Sequence, residues 1–173
     1  MLYVSDRALA AGYEPLFIDM RGARWTAAHA YEPVAAAARF EDWEFPYAAL
    51  IGAAAAVRYT VSVGIDSIAE RSPSLGAMLR DGLSAADGIR VLDRGRELCA
   101  IVTCTVPGWE PTRFKQALDE RRINSALSFR EFALFDFADK DVDWCVRLSP
   151  HYYNTEHEVE QVLAAVEELV EPG

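Results

Sequence analysis

The stretch "VRLSPHYYNTEHEVEQVL", residues 146–163, constrains the fold more than any other part of the chain. Thr155 and Glu158 have the spacing of a capping box, in which each residue's side chain accepts a hydrogen bond from the other's backbone N–H. Apolar residues then recur at helical spacing: Val159, Val162, Leu163, Val166, Leu169 and Val170. The pattern predicts an amphipathic helix over residues 155–170 that packs on a hydrophobic core.

The residues just before this helix alternate as in a β-strand. Trp144, Val146 and Leu148 share one face, and Cys145, Arg147 and Ser149 share the other. Arg147 therefore points away from the apolar face. Two interpretations stay open for it: an exposed arginine on a sheet surface, which is where most arginines lie, or a fixed guanidinium that binds a substrate carboxylate through two parallel hydrogen bonds.

Polar residues near a strand end can line ligand clefts, and this gives two further candidates. His151 and Asn154 follow the strand that carries Arg147. The alternative for His151 is an exposed histidine with no binding role. The other two histidines, His29 and His157, are expected to be exposed in a loop and in the first turn of the last helix. The three histidines form no pattern with serine or aspartate that is typical of a catalytic triad.

The rest of the chain predicts an α/β (α+β) fold with a small, mainly antiparallel sheet covered by helices on one face. A strand is expected over residues 1–5, a short helix or turn over 6–15, and a long ordered loop with short pieces of structure over 16–45. Helices follow over 46–71, with a possible break near Gly64, and over 72–85, with Ser72 as N-cap. Then come strands over 88–93 and 98–106, a helix over 110–122, a strand over 123–128, a loop over 129–143 and a strand over 144–149.

Composition excludes several functional classes. A chain of 173 residues that is 51% hydrophobic and 25% charged is expected to be globular, with one domain or one large and one small lobe. Its net charge of -10 argues against binding to nucleic acid or to an anionic membrane. No apolar run is long enough for a membrane span, and the N-terminus does not resemble a signal peptide, so a cytoplasmic location is expected.

The cysteines do not indicate a metal site. Cys99, Cys104 and Cys145 are odd in number and lack metal-ligand spacing. They are expected to be reduced, buried thiols.

Four segments, in the same order along the chain, resemble a known family. They are "LYVSD" (2–6), "ARFEDWEFPYAALIGAAAAVRYTVSVGIDSIAER" (38–71), "RINSALSFREF" (122–132) and "VRLSPHYYNTEHEVEQVL". Together they resemble the class V aminotransferase-fold enzymes, a pyridoxal-phosphate-dependent group of fold type I that includes cysteine desulfurases, isopenicillin N epimerase-like proteins and kynureninases.

Family members are more than twice this long, so the resemblance implies that this chain is their C-terminal portion. Residues 1–45 would be a remnant of the large cofactor domain with an irregular loop, 46–71 the long connecting helix, and 72–173 the small C-terminal α+β domain. The missing part would hold the parallel sheet and the lysine that binds the cofactor. The expected partners are then a second copy of the chain or a missing N-terminal chain, because an uncovered connecting helix exposes apolar surface.

The resemblance also implies roles for individual residues. Arg147 matches the arginine of the family's R-x-S motif, which binds the substrate carboxylate, and this favours the binding interpretation. Residues 41–44 match the desulfurase segment E-x-G-T, which contacts the cofactor phosphate from the neighbouring subunit, but Trp43 and Glu44 replace the glycine and threonine. Glu44 would repel a phosphate, whereas the Trp43 indole N–H could donate to it. The alternative for Trp43 is packing beneath the long helix.

No catalytic residue is assigned within the chain. Pyridoxal phosphate needs a lysine amine, and neither Lys115 nor Lys140 has the sequence context of the family's lysine. The loop before the arginine strand also lacks the nucleophilic cysteine of the desulfurases. The expected function is therefore an inactive portion of an epimerase, lyase or transaminase that acts on an amino acid. The alternative is a non-catalytic binding or oligomerisation module with the same fold.

Overall fold

The computed structural model describes residues 2–170. The chain divides into two compact units, Met1–Arg58 and Tyr59–Gly173. Met1 and residues 171–173, which fall within the predicted first strand and the predicted small domain, lie outside the described residues. The predicted division of the chain at residues 45 and 71 stays a prediction about the complete protein.

The first unit consists of short elements joined by irregular backbone. Helix α1 spans Asp6–Ala10, strands β1 (Ala23–Ala27) and β2 (Ala30–Pro33) form an antiparallel hairpin, and a 3₁₀ helix spans Ala37–Phe40. This agrees with the prediction of a short helix followed by an ordered loop with short pieces of structure. The predicted strand over 1–5 is wrong, since residues 2–5 pair with no strand and Ser5 instead caps α1 by accepting from Ala8 N–H (3.3 Å).

The second unit begins within helix α2 (Tyr47–Val63) and contains the main sheet. Its further elements are α3 (Ile65–Ala85), β3 (Arg90–Val91), β4 (Val102–Thr105), α4 (Pro111–Glu120), β5 (Ala126–Phe129), a 3₁₀ helix (Arg130–Phe132), α5 (Leu134–Lys140), β6 (Trp144–Leu148) and α6 (Glu156–Val170). The four strands β3–β6 form an antiparallel sheet in the order β3-β4-β6-β5. The predicted fold class, a small antiparallel sheet covered by helices, is confirmed.

The hydrophobic core lies between one face of this sheet and helices α3, α4 and α6. Its buried residues are Leu75, Leu79, Leu83, Val102, Cys104, Val106, Phe114, Leu118, Val146, Leu148, Val159 and Val166. The alternation predicted for β6 therefore holds, because Val146 and Leu148 are buried while Arg147 is exposed. A second, smaller cluster of Leu92, Phe137, Val142 and Cys145 contains the β6 residue Cys145 from the opposite face.

The helical region after residue 46 differs from the prediction in one respect. The break near Gly64 is present, and Gly64 has a φ of 104°. Beyond it α3 runs without interruption to Ala85, so Ser72 is a buried residue inside the helix and not an N-cap. The apolar stripe of Leu75, Leu79 and Leu83 packs on the core and stabilises the helix through Pro73, whose fixed φ suits helical backbone although its ring lacks an N–H.

The segment 129–143 was expected to be a loop but contains a 3₁₀ helix and α5. The physical reason is the burial of Phe137 in the smaller cluster, which a propensity-based prediction does not anticipate. Strands β3, β4 and β5 occur within or next to the predicted segments but are shorter than predicted. Within residues 2–170 no single helix is long and apolar enough to cross a membrane; α2 and α3 meet that length and composition only as a bent pair.

Candidate active-site portion around Arg147

Arg147 lies on an inner strand of the sheet and faces away from the main core. Its Cα partners are Thr103 on β4 and Ala126 on β5. The side chain is exposed, and among residues 2–170 its guanidinium makes no hydrogen bond or salt bridge. An inner strand fixes the backbone on both sides, so the guanidinium extends from a rigid position with its donors available to a ligand.

The strand beside Arg147 is held by a largely covered ion pair. Asp93 accepts hydrogen bonds from Arg80 Nε (2.8 Å) and from the N–H (3.0 Å) and hydroxyl of Thr103. Arg80 also donates to the carbonyl groups of Cys99 (3.0 Å) and Ile101 (3.1 Å). The Arg80 and Asp93 side chains are only 12% and 9% exposed. This network fixes Thr103, the cross-strand neighbour of Arg147, and nothing in the local sequence pattern pointed to it.

His151 and Asn154 close a turn directly after β6. Asn154 N–H donates to the His151 carbonyl (2.8 Å), and His151 N–H donates to Asn154 Oδ1 (2.9 Å). The Asn154 side-chain amide also donates to Glu158 (3.4 Å). The exposed His151 ring stacks on Tyr153 with 5.3 Å between ring centroids. Asn154 therefore has a structural role in the turn, and its predicted contact with a substrate stays a prediction, as does that of His151.

The turn leads into the predicted capping box. Thr155 N–H donates to Glu158 Oε2 (2.7 Å), and Glu158 N–H donates to Thr155 Oγ1 (3.2 Å). The hydrogen bond from Thr155 N–H is the main reason that the pKa of Glu158 lies below its ordinary value. The sequence thus predicted the start of α6 correctly to within one residue.

Arg71, which lies on α3, also holds this turn in place, and the sequence analysis did not identify it. Arg71 donates through both terminal nitrogens to the carboxylate of Glu156, one of these contacts measuring 2.8 Å, and donates to the Asn154 carbonyl (3.1 Å). The hydrogen bond from Arg71 is the first cause that lowers the pKa of Glu156 to about 2. No sequence pattern could identify this contact, because 83 residues separate Arg71 from Asn154.

A cavity of about 800 Å³ lies in the second unit between the end of α4, the turn and α6. Tyr153 and Asn154 contribute to its lining, but Arg147 and His151 do not. The structure therefore brings Asn154 to this cavity and leaves the Arg147 guanidinium exposed on the sheet face that points away from the main core.

Trp43 lies in the first unit and is 50% exposed. Its backbone N–H donates to Asp19 (2.9 Å). The Arg21 guanidinium lies over the indole ring, 5.6 Å from its centroid, and over Phe45 at 5.4 Å. Arg21 is also 3.6 Å from Glu41. The proposed phosphate contact of Trp43 stays a prediction.

Both lysines are engaged in ion pairs within their own helices. Lys115 contacts Asp119, and Lys140 lies 2.8 Å from Asp136, each with i,i+4 spacing. A Schiff base with pyridoxal phosphate needs a free amine next to the aldehyde. In this structure both lysine amines are paired with carboxylates.

The cysteines offer no reactive thiolate in the core. Burial raises the pKa of Cys104 to about 12 and also raises that of Cys145. Both are packing residues, as the sequence indicated. The expectation of burial is wrong for Cys99, which is exposed. Among residues 2–170 no group of three or more His, Cys, Asp or Glu side chains could hold a metal ion.

Comparison with known proteins places this geometry in a family. The family model described as aminotransferase class-V matches residues 2–162, and the chain therefore belongs to that family. A protein named "Probable cysteine desulfurase" from Pyrococcus abyssi is 32% identical over 136 residues, which is 76% of this chain and 33% of the relative. The resemblance of the sequence motifs to a portion of a class V aminotransferase-fold enzyme is thus confirmed.

Among the solved structures that are similar to the chain are those of a cysteine desulfurase and of a C-DES mutant. The apo structure of a cysteine desulfurase from Thermococcus onnurineus NA1 has a TM-score of 0.77 and 27% identity and covers 91% of this chain and 39% of that protein. A mutant of C-DES with glycine covalently linked to its PLP cofactor has a TM-score of 0.65 and 24% identity and covers 92% of this chain and 38% of that protein. The family's cofactor is pyridoxal phosphate. The chain spans between a third and two fifths of the length of these relatives.

Proposed function

We propose that this chain is the C-terminal portion of a pyridoxal-phosphate enzyme that acts on an amino acid, with Arg147 as the residue that binds the substrate carboxylate. The observation that carries the proposal is the Arg147 guanidinium, which extends from an inner strand and makes no hydrogen bond or salt bridge among residues 2–170. A planar guanidinium held in this way matches the two oxygens of a carboxylate. The motif around it is the one that matches the family's R-x-S sequence.

The roles of the chain's own residues follow from this geometry. Arg147 would bind and orient the carboxylate, and the turn that carries His151 and Asn154 would border the bound amino acid. The large domain of the complete protein would supply the lysine and most of the cofactor contacts, and the Trp43 indole N–H would add a contact to the cofactor phosphate. When bound, pyridoxal phosphate supplies an electron sink for the reaction at the amino acid's Cα.

The reaction class is proposed to be an epimerisation, lyase reaction or transamination. Segment 129–143, which precedes β6, contains no cysteine and is folded into a 3₁₀ helix and α5. A desulfurase that uses a cysteine nucleophile in this segment would need a thiolate there. A cytoplasmic location and a homodimeric state or a separate N-terminal chain belong to the same proposal.

A second candidate is a non-catalytic binding or oligomerisation module. It is favoured by one observation, namely that Lys115 and Lys140 both form ion pairs with carboxylates on their own helices. Absorbance after incubation with pyridoxal phosphate and desalting distinguishes the two. We expect the chain alone to retain no cofactor. The chain is then joined to or mixed with the polypeptide encoded by the upstream region of its locus. This assembly should retain a visible absorbance band if the chain is part of an enzyme, and none if the chain is a separate module.

The role of Arg147 in binding the substrate carboxylate is tested with the variant Arg147→Gln in that assembled enzyme. Loss of a two-pronged charged hydrogen bond is expected to raise KM for the amino acid by about tenfold or more. Arg113→Gln is the matched control, since Arg113 is an exposed arginine on α4 of the same unit. An unchanged KM in Arg147→Gln would contradict the assignment of the carboxylate to Arg147.

A further inference from the structure

The turn after β6 is held at its end by a residue that lies outside the sequence motif. We propose that Arg71 is a positioning residue, which fixes the turn 151–154 so that His151 and Asn154 stay in place after the strand that carries Arg147. The inference rests on the proposed function, because it assigns Arg71 a role in placing residues that would border the substrate. Arg71 itself is not proposed to touch the substrate.

The contacts of Arg71 concentrate on the last residue of the turn and the first residue of α6. Its guanidinium contacts both Glu156 carboxylate oxygens and donates to the Asn154 carbonyl (3.1 Å). A two-pronged arginine–carboxylate contact restricts the guanidinium to one plane, which also fixes the direction of the bond to the carbonyl. One side chain of α3 therefore sets both the end of the turn and the start of α6.

Hydrogen bonds between Asn154 and His151 couple the positions of these two residues within the turn. The two residues exchange hydrogen bonds of 2.8 Å and 2.9 Å, the second through the Asn154 side chain. A shift of the Asn154 backbone would therefore release the His151 N–H and move its ring. The turn begins four residues after Arg147, so that it lies next in the chain to the proposed carboxylate site.

A second contact holds the first half of the turn. The Tyr152 hydroxyl interacts with that of Tyr59 near the end of α2, and this interaction raises the pKa of Tyr152. The turn should thus remain attached when Arg71 is replaced, and Arg71→Gln should loosen it without unfolding the unit. The side chain of Arg71 is 35% exposed, so its contribution to overall stability is expected to be small.

The chain offers a matched control for Arg71. Arg121, at the end of α4, lies 3.2 Å from Glu168 of α6 and so also joins another helix to α6 through an arginine–glutamate pair. Its hydrogen bonds and ion pairs involve no residue of the turn. Arg121→Gln therefore removes another arginine–glutamate pair on α6 and leaves the turn contacts intact.

The first measurement is amide hydrogen exchange of His151 and Asn154 in the purified chain. In Arg71→Gln we expect exchange at both amides to rise by about tenfold, in Arg71→Lys by less, and in Arg121→Gln not at all. Unchanged exchange in Arg71→Gln, or an equal rise in Arg121→Gln, would overturn the inference without any reference to catalysis.

The second measurement separates positioning from a structural role in the assembled enzyme. Arg71→Gln should raise KM for the amino acid by about fivefold, with kcat little changed and partial recovery in Arg71→Lys. If Arg71→Gln shows faster amide exchange but the same KM as Arg121→Gln, the positioning role is overturned. A wild-type assembly that does not bind or convert any amino acid would instead overturn the proposed function, and hydrogen exchange alone would then decide whether Arg71 fixes the turn.

Discussion

Individual residues of this chain owe their chemistry to partners that are distant in sequence. Glu156 is an exposed glutamate in the first turn of a helix, a position with no unusual property by itself. The contact with Arg71 is the first cause that lowers its pKa from the ordinary value of 4.5 to about 2. Arg147 shows the opposite case, because the sheet leaves its guanidinium without any hydrogen bond or salt bridge among the described residues.

The lowered pKa of Glu156 gives a pH dependence with a definite sign. Because the carboxylate form is favoured in the folded protein, its stabilising contact is fully present above about pH 4.5 and is lost as the pH falls through about 2. Carbon-13 NMR of the side-chain carboxyl should show a midpoint near that value. In Arg71→Gln the midpoint should move up towards 4.5, whereas Arg121→Gln should leave it unchanged. A wild-type midpoint already near 4.5 would show that the contact is absent in solution.

The cysteines also illustrate what the local pattern leaves open. The sequence context correctly predicted packing at Cys104 and Cys145, since both occur in strand segments rich in apolar residues. Cys99 has a similar sequence setting but is exposed. β4 begins only at Val102, so Cys99 lies before the part of the segment that packs on the core.

At the scale of elements, glycine decides where α2 ends and α3 begins. Gly64 has a φ of 104°, a conformation that L-residues rarely adopt, and an added Cβ would meet only Ser67 at ordinary contact distance. Gly64→Ala should therefore destabilise the chain by about 1–2 kcal/mol through backbone strain alone. Urea unfolding followed by circular dichroism measures the change.

Gly52 is the matched control for this substitution. It lies inside α2, and a Cβ there would meet no other atom within 4 Å. Gly52→Ala is expected to stabilise the chain by about 0.5–1 kcal/mol, because alanine loses less conformational freedom in a helix. Equal effects of the two substitutions would contradict a strained backbone at Gly64.

Helix α6 and segment 129–143 show why some elements were predictable and others were not. A capping box and a regular apolar stripe are local signals, and they fixed α6 to within one residue. The α5 segment carries no such stripe, and its helix depends on the burial of Phe137 with Leu92, Val142 and Cys145. Ser72 followed by Pro73 resembled a helix start, but the packing of Leu75, Leu79 and Leu83 continued the helix through it.

For the whole molecule, the apolar surface of α2 predicts self-association. The helix has no buried residue, and its exposed large apolar residues are Tyr47, Leu50, Ile51, Val57, Tyr59 and Val61. Exposed apolar patches usually mark an interface. Sedimentation velocity at micromolar concentration should detect dimers or larger species that weaken in the double variant Leu50→Glu/Ile51→Glu.

A suitable control for that experiment is Phe135→Glu, which replaces an apolar side chain that is 88% exposed but lies in α5. This variant should leave the self-association unchanged. A single monomeric species in the unmodified chain would contradict the prediction, and an equal effect of both variants would show that association does not depend on α2.

The sequence by itself determined the family, the antiparallel sheet with its covering helices, the start of α6 and the outward direction of Arg147. Each of these depends on neighbours within a few residues or on motifs that occur in a fixed order. Only the tertiary structure decided that Arg71 holds the turn after β6, that the Arg80–Asp93 pair fixes the strand beside Arg147, and that α3 continues through Pro73. These features depend on contacts between residues distant in sequence, or on burial in a core assembled from several elements, and no local pattern encodes either of them.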